Sequence, residues 1–549
     1  MPGESLRLAP TRSAEDSAGI YDPYQTDSSY SIKDPMPDKV EDLEVEPNRL
    51  PLGTAIKRYP KVAAFCVAIM VPVVSYGYDL VIVGSIPGVD AFKADFGERI
   101  GGEMAIPGMW LSLFMGLSAA GSAVGSVVAG WLQDRIGRRL GLMAGAVLSA
   151  ASITLIFFSR FQEAHSARRA VFTAGVTVQG SSVGLIKVVC ITYISENCPP
   201  ALVAPALSLI PAFNLVGQLT GSVLLFAVNG LDGPGGYLAA FGSQWVLAGL
   251  SLVLSVFLPE SPAYRVREGN EAGARRSAAR LFAPRADPDV MLRRTRRTVD
   301  EERALHAGVG WAVLLRGANR RRTMVILLAN CFQAMFGLDL LGNASVFLQS
   351  VGVESGVALL VMVAGIVCGM AGNLAGIWVL GKVGRRPASM ATMAVAGLFW
   401  SALGFAGFWQ TSAAGFFSAG CMVAAAVVCG LGVWPASYAI TGEASSLRLR
   451  AKSQAVGGLV QEVLSVVMGL ALPYVFSRDE GDLRGKTGLI FGALCAIGVV
   501  LIFFFIPEMK DRSTMEIDRM FEARVPTRKF GTWKADEPAP ASDEEVTGY

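Results

Sequence analysis

The sequence predicts an all-α membrane protein whose twelve transmembrane helices form two six-helix bundles joined by short helices outside the membrane. Three observations lead to this prediction. The chain is 52% hydrophobic and only 17% charged, whereas soluble globular proteins carry about 25% charged residues. Twelve apolar segments are long enough to cross a bilayer. The basic residues of the connecting loops are concentrated on one side of it.

The apolar segments run for about 20 residues each, which is the length of a membrane-spanning helix. Their residues do not alternate between apolar and polar, as they do in the strands of a membrane barrel. A helix also satisfies its backbone hydrogen bonds within one segment, as a lipid environment requires. The predicted spans begin near Val62, Gly108, Gly141, Val171, Pro205, Leu238, Thr323, Val357, Ser389, Gly415, Ser453 and Thr487.

Lysine and arginine are concentrated in alternate loops of this twelve-span arrangement. Cytoplasmic loops are enriched in these residues, so the sequence predicts that both termini are cytoplasmic. The loops between spans 3 and 4 are the exception, with Arg160, Arg168 and Arg169 on the opposite side. The basic loops contain Arg135, Arg138, Arg139, Lys382, Arg385, Arg386, Arg448, Arg450 and Lys452, together with segment 259–322.

The spans divide the chain into five regions. Residues 1–58 are polar and rich in Pro, Ser and Asp, which predicts a disordered cytoplasmic tail and not a cleaved signal peptide. Residues 59–258 and 323–506 contain six spans each. The cytoplasmic linker 259–322 contains two predicted amphipathic helices, at 271–281 and 292–306, and residues 507–549 form a cytoplasmic C-terminal tail.

Several functional classes are not indicated. A net charge of +3 is too small to suggest binding to nucleic acid. The eight cysteines show no metal-binding spacing, and His165 and His306 are the only histidines, so we interpret the cysteines as small buried apolar residues. Gly485-Lys486-Thr487 is similar to the end of a phosphate-binding loop, but Glu480 stands where the first glycine of that loop is required. We therefore expect no enzyme activity, no metal and no cofactor.

The two halves repeat the same polar motifs. Asp134-Arg-Ile-Gly-Arg-Arg139 follows span 2, and Gly381-Lys-Val-Gly-Arg-Arg386 follows span 8. Glu196 and Glu443 end spans 4 and 10, and Pro-Glu dipeptides ending at Glu260 and Glu508 follow spans 6 and 12. Many secondary transporters are built from internal repeats with the substrate site at the repeat interface.

Further motifs appear in a fixed order along the chain. They are Gly77-Tyr-Asp79, Gly217-Gln218-Leu219, Gln244-Trp245, Pro259-Glu-Ser-Pro262, Gly442-Glu443, Arg448-Leu-Arg-Ala-Lys-Ser453, Gly485-Lys-Thr-Gly488 and Arg524-Val-Pro-Thr-Arg-Lys-Phe530. From about residue 50 to 530 the chain resembles the sugar porter family of the major facilitator superfamily, and within it the fungal α-glucoside (maltose) permeases. The resemblance implies a monomeric plasma-membrane carrier that moves a sugar by alternating access, driven by the proton gradient.

The resemblance also implies that the charged motifs form a cytoplasmic gating network, whose ion pairs break when the two halves rock. Simple anchoring of the loops by arginine is the alternative. The predicted gating network comprises Asp134, Arg135, Arg138, Arg139, Glu196, Glu260, Arg385, Arg386, Glu443, Arg450 and Glu508.

Four ionisable residues lie inside predicted spans, namely Asp79, Lys187, Asp339 and Glu462. Each costs a few kcal/mol at the bilayer centre unless it is paired or faces a cavity. In the family that the chain resembles, the aspartate matching Asp79 is the protonation site and works with an arginine in span 4, where this chain has Val176. We expect Lys187 to pair with Asp79 instead. Alternatively, the Lys187 side chain binds an anionic substrate, or it extends to the membrane interface.

The resemblance implies that polar and aromatic residues contact the sugar. Amides supply both donors and acceptors for hydroxyl groups, and aromatic rings stack on sugar faces. Ala334, Pro211 and Val203 replace polar residues of the family, and Asp339 adds a charge. A carrier or exporter of another polar or anionic metabolite, and a non-transporting nutrient sensor, therefore remain as alternatives. The substrate-binding candidates are Gln218, Gln333, Asp339, Asn343, Trp434, Tyr438 and Glu462.

Overall fold

The computed structural model describes residues 52–100, 102–231, 233–306, 311–446, 449–512 and 514–533. Most of the predicted N-terminal tail, and residues 534–549 of the predicted C-terminal tail, lie outside this range. The last seven residues of the predicted disordered tail form a helix, α1 (Leu52–Arg58), in which Ala55 is buried. The prediction of disorder is wrong for these residues, because one apolar side chain of the segment finds a packing site.

The N-terminal half contains six long helices, as the sequence predicts. Each helix begins at the first residue of its predicted span or a few residues before that residue. They are α2 (Pro60–Ser85), α4 (Gly108–Ile136), α5 (Arg138–Phe158), α6 (His165–Asn197), α7 (Pro200–Asn229) and α8 (Gly235–Phe257). Between α2 and α4 lie a short helix, α3 (Asp90–Phe96), and an antiparallel hairpin of β1 (Glu98–Ile100) and β2 (Glu103–Ala105), with Arg99 opposite Met104.

The C-terminal half contains six spans, two of which are interrupted. The predicted seventh span is divided into α12, α13 and α14, because Gly337 adopts a φ of +83° and ends the first helical segment. The tenth is divided at Gly432 into α17 and α18. The helices are α12 (Gly317–Met335), α13 (Leu338–Gly342), α14 (Ala344–Ser350), α15 (Ser355–Val383), α16 (Arg385–Ala406), α17 (Ser412–Leu431), α18 (Val433–Ala444), α19 (Arg450–Phe476) and α20 (Thr487–Phe505).

Within the described residues, eleven helical segments are long and apolar enough to cross a membrane, and the broken seventh span is the one that does not qualify. The arrangement agrees with the predicted twelve-helix fold. Short helices also occupy the predicted linker, where α9 (Pro262–Arg267), α10 (Glu271–Phe282) and α11 (Pro288–His306) are found, and α21 (Thr514–Glu522) follows the last span.

The long helices expose apolar side chains on the outer surface of the protein and bury polar side chains between the helices. Val246, Leu374 and Leu398 are 70%, 68% and 70% exposed, whereas Asp79 and Gln244 are 2% and 0% exposed. Exposed apolar belts of this extent are characteristic of a protein whose solvent is lipid. The chain is a multi-pass membrane protein.

Candidate functional site

Arg138 is the centre of a charged cluster where α4 turns into α5. Its guanidinium donates to the Gln133 carbonyl at 2.8 Å, to Asp134 Oδ1 at 3.2 Å and to Glu196 Oε1 at 2.8 Å, and the side chain is 3% exposed. Glu196 also accepts from Ser261 Oγ at 2.6 Å and from Arg267 at 2.8 Å. The cluster therefore ties the ends of α4 and α6 to the start of the linker.

Glu260 acts as a cap for the first turn of α5. Its carboxylate accepts from the backbone N–H of Arg138 at 2.8 Å and of Arg139 at 3.3 Å. A negative charge at a helix N-terminus is stabilised by the unsatisfied N–H groups and the helix dipole. The carboxylate fits because residue 137 is glycine with φ of +94°, and a Cβ there would lie 2.4 Å from Glu260 Oε2.

The C-terminal half repeats this arrangement. Arg385 pairs with Glu443 at 2.6 Å, as Arg138 pairs with Glu196. Glu508 accepts from the backbone N–H of Arg385 and Arg386 at 3.1 and 3.0 Å. Gly384, with φ of +102°, corresponds to Gly137. We call the side of the protein with both turns and helices α9–α11 the arginine face.

The predicted gating network does not join the halves at the arginine face. Each cluster is closed within its own half, so Glu508 does not reach the Arg138 cluster. Arg450 forms no ion pair or hydrogen bond with the described residues, and Arg135 lies over the Trp131 ring at 4.4 Å. In this conformation each half supplies its own glutamate partner, Glu196 for Arg138 and Glu443 for Arg385, so neither pair needs a residue of the other half.

The halves are fastened instead at the face opposite the arginine face. Lys93 Nζ donates to Gln349 Oε1 at 3.0 Å, and Arg478 pairs with Glu103 at 2.8 Å. Ser355 Oγ donates to Asp90 Oδ2 at 2.5 Å. Between described residues, the hydrogen bonds and ion pairs that connect the halves lie at this face or at Lys187, never at the arginine clusters.

Lys187 does not pair with Asp79, so that prediction is wrong. Its Nζ lies 3.1 Å from Glu462 Oε1, and the pair connects α6 of one half to α19 of the other. Gln179, the α6 residue that approaches Asp79, lies eight residues earlier, which is about 12 Å along a helix. Lys187 is therefore too far along α6 to reach Asp79. No other ion pair between described residues joins the halves from within long helices.

Asp79 lies in α2 beside Ser149, whose hydroxyl is 3.5 Å from Oδ2. The second oxygen, Oδ1, has no hydrogen-bond partner, and no cation among the described residues pairs with the carboxylate. Val176, another α6 residue, is fully buried. Gln179 donates to Gln244 Oε1 at 2.5 Å near this group. The result is a buried carboxyl among neutral polar side chains.

The predicted substrate-binding residues lie on five helices, α7, α12, α13, α18 and α19, and Asn343 lies between α13 and α14. Gln218 Nε2 donates to Asn214 Oδ1 at 2.7 Å, and Gln333 Oε1 accepts from Gln461 Nε2 at 2.8 Å. Asn343 donates to the Asp339 carbonyl at 2.8 Å. Asn343 also faces the other half, because a Cβ at Gly84 would lie 2.8 Å from its Oδ1.

The aromatic candidates lie on α18. The Trp434 ring centroid is 6.4 Å from that of Phe336, just before the break after α12. Tyr438 is 51% exposed and lies close enough to Lys187 to interact with it electrostatically. Gln461, Glu462 and Ser465 share one face of α19, and Ser465 approaches Asp339. The structure therefore brings Asp339, Glu462, Gln333 and Tyr438 around α19.

Sequence reasoning missed Asn214, Gln461, Ser149 and Gln179. Each is a polar residue inside a long apolar run, which is the signal that would have identified it. Amides and hydroxyls were passed over because they cost less than charges in a membrane and are correspondingly more common there.

Comparison with known proteins agrees with this geometry. Residues 64–521 match the family model described as "Sugar (and other) transporter". The chain is 30% identical over 476 residues to the MFS transporter fmqE of Aspergillus fumigatus, covering 84% of the chain and 86% of that protein. It is 25% identical over 510 residues to the general alpha-glucoside permease of Saccharomyces cerevisiae, covering 91% and 81%. The yeast maltose permease MAL61 is 26% identical over 502 residues, with 89% and 80% covered.

Solved structures show the same fold. The xylose transporter XylE from E. coli in a partially occluded inward-open conformation superposes with a TM-score of 0.65 at 17% identity, covering 83% of this chain and 100% of that one. The proton:xylose symporter XylE bound to 6-bromo-6-deoxy-D-glucose gives 0.64 at 19% identity, covering 84% and 99%. The chain therefore belongs to the sugar transporter family of the major facilitator superfamily, and it is a transporter and not an enzyme.

Proposed function

We propose that the chain is a secondary active transporter that carries an α-glucoside sugar by alternating access in symport with protons. The yeast relatives are named as α-glucoside and maltose permeases, and they align with most of this chain. The interior supplies the amides of Gln218, Gln333 and Asn343 together with Trp434 and Tyr438, which suit a neutral polyhydroxylated ligand.

Asp79 is the proton carrier in this proposal. The observation that carries the assignment is its burial beside Ser149 with one oxygen unpartnered and no paired cation. A carboxyl in such a place can bind and release a proton without first breaking an ion pair. The charge of an arginine at position 176 is not needed for this step.

The arginine face is cytoplasmic in the proposed orientation, because basic loops remain on the cytoplasmic side of a membrane. Both termini then lie in the cytoplasm. We further propose that the protein acts in the plasma membrane as a monomer. The bonds at the opposite face close the extracellular entrance, so the described conformation is an inward-facing one.

Uptake of labelled maltose in yeast lacking its own α-glucoside carriers tests the proposal, at external pH 5 and pH 7. We expect faster uptake at pH 5 and loss of active uptake in D79N. D300N, a change of an exposed linker carboxylate, is the matched control and retains uptake. Absence of maltose uptake by protein verified at the cell surface would overturn the α-glucoside assignment.

A different polar or anionic metabolite, imported or exported, is the second candidate. The charges of Lys187, Glu462 and Asp339 around α19 favour it, as does Ala334 at a position where the family has a polar residue. In the same cells, uptake or efflux of organic acids and secondary metabolites would then be measured, with Lys187 and Asp339 as the residues to change. A nutrient sensor would move none of these compounds.

A further inference from the structure

A cavity of about 280 Å³ opens on the arginine face, between the start of α5, the end of α8 and helices α9 and α10. Four guanidinium groups line it, from Arg139, Arg265, Arg276 and Arg280. Ser277 and Glu260 complete the part of the lining that matters for ligand binding. The cavity is outside the path between the two halves, since all of these residues belong to the N-terminal half and the linker.

Three of the four lining arginines pair with no carboxylate among the described residues, whereas Arg265 pairs with Glu268 at 2.7 Å. Arg139, Arg276 and Arg280 donate to the backbone carbonyls of Val256, Ala272 and Phe257 at 2.6, 3.2 and 2.9 Å, and none of them pairs with a carboxylate. Arg139 Nε is buried without a partner. Glu260 is already engaged by three backbone N–H groups, those of Arg138, Arg139 and Ser261.

The cavity lies at the edge of the lipid-facing surface. Val256 and Phe257, whose carbonyls bind two of the arginines, end a membrane span and expose 42% and 64% of their side chains. Leu140, next to Arg139, is 49% exposed. A ligand in the cavity therefore meets guanidinium groups on one side and an apolar surface on the other.

We propose that this cavity binds the phosphate-bearing headgroup of an anionic phospholipid, whose acyl chains lie along the end of α8. Guanidinium groups form charge-assisted hydrogen bonds with phosphate oxygens in a geometry that suits them. Basic pockets beside membrane spans are suited to anionic headgroups. The inference does not depend on which substrate is transported.

Native mass spectrometry of the purified full-length chain tests the proposal, with dioctanoyl phosphatidylinositol 4-phosphate as the probe and dioctanoyl phosphatidylcholine as the neutral comparison. We expect selective binding of the anionic lipid, about 25-fold weaker in R276Q/R280Q because each basic side chain near the membrane surface contributes about a fivefold change. R276K/R280K keeps the charge and retains most of the binding.

The matched control is R275Q/R303Q, which removes two exposed linker arginines that pair with Asp289 and Asp300 outside the cavity. Equal loss in both double variants would overturn the assignment to this cavity, as would equal binding of phosphatidylcholine. Displacement of the lipid by equimolar inorganic phosphate would identify a soluble anion as the ligand and overturn the lipid source. If R276Q/R280Q does not fold, the single variant R276Q supplies the same comparison.

Discussion

Charged side chains inside this protein fall into two groups with different consequences. Arg138 and Arg385 each pair with a glutamate of their own half, so their contacts move with that half as a rigid unit. Lys187 and Glu462 lie in different halves and are 37% and 13% exposed. Separating the halves breaks this second pair and leaves both charges without a partner. Because an unpaired charge in a membrane interior is costly, the pair opposes that separation.

Removing one partner of the Lys187–Glu462 pair should impair transport more than exchanging both. We expect K187M or E462Q to lower uptake at least about tenfold, since each leaves one charge of the interior without its partner. A fully buried unpaired charge costs about 3–5 kcal/mol, and solvent reduces this cost at Lys187, which is 37% exposed. K187E/E462K restores the attraction and is expected to recover part of the activity. Initial uptake rates, normalised to surface protein, give the comparison.

The matched control for this experiment is E103Q, because Glu103 also pairs across the halves but is 71% exposed. Exposed pairs contribute little, so its uptake should remain close to that of the wild type. If the charge exchange is no better than the single changes, the pair does not act as a bridge between the halves.

Glycine is required at positions 137 and 384, because the capping carboxylates of Glu260 and Glu508 lie directly against these residues. A Cβ at these positions would lie 2.4 and 2.7 Å from Glu260 and Glu508, and both backbones have positive φ. We expect G137A and G384A to lower stability by about 1–3 kcal/mol each, as measured by thermal unfolding in detergent.

Gly130 and Gly381 provide the controls, because a Cβ at either meets nothing within 4 Å. G130A and G381A should leave stability unchanged or raise it slightly, since alanine favours helix. Similar unfolding temperatures for all four variants would contradict the capping role of the two carboxylates.

At the scale of elements, α3, α14 and the start of α15 close the face opposite the arginine face. Asp90 accepts from Ser355 and pairs with Lys93 at 2.6 Å, and Lys93 also reaches Gln349. Burial raises the pKa of Asp90, but the hydrogen bonds from Lys93 and Ser355 outweigh it and hold the pKa below its ordinary value. The Asp90 carboxylate is thus ionised at pH 5.

A lowered pKa in the folded protein stabilises it above the unfolded pKa, about 3.9 for aspartate. We expect D90N to unfold about 1–2 °C below the wild type at pH 7 and pH 5. This difference should shrink as the pH falls below about 3.9 and through the folded pKa, because the wild-type carboxyl then becomes neutral as well.

Glu163 is an exposed carboxylate at the same face with no hydrogen bond or ion pair to the described residues, so E163Q is the control and should show no such difference. A constant offset between D90N and the wild type from pH 7 to pH 3 would contradict the contribution of the Asp90 charge.

The elements show how far the sequence predicts the structure. Hydrophobic length located the spans, because the cost of polar residues in lipid is a local property of each segment. The break in the seventh span was missed, since it depends on Gly337 adopting positive φ within a segment that remains mostly apolar. The partner of Lys187 was also missed, because sequence indicates depth along a helix but not which helix of the other half faces it.

At the scale of the whole molecule, the two halves repeat their capping glutamates and their arginine–glutamate pairs. They are fastened to each other at the face opposite the arginine face and by the Lys187–Glu462 pair. The repeated motifs located the charged residues of both clusters, but the predicted gating network joined the two clusters across the halves. The motifs did not predict that the clusters are independent of each other, which depends on the conformation of the carrier. Where the halves face each other, charged residues lie on α6, α13 and α19.

The most direct measurement for proton-coupled sugar transport is maltose accumulation by the purified chain in proteoliposomes under an imposed inward proton gradient. We expect accumulation above the equilibrium level, abolished by a protonophore. We also expect D79N to exchange labelled for unlabelled maltose but not to accumulate it. Maltose accumulation in D79N at the wild-type level, or accumulation that is indifferent to the proton gradient, would contradict proton-coupled transport through Asp79.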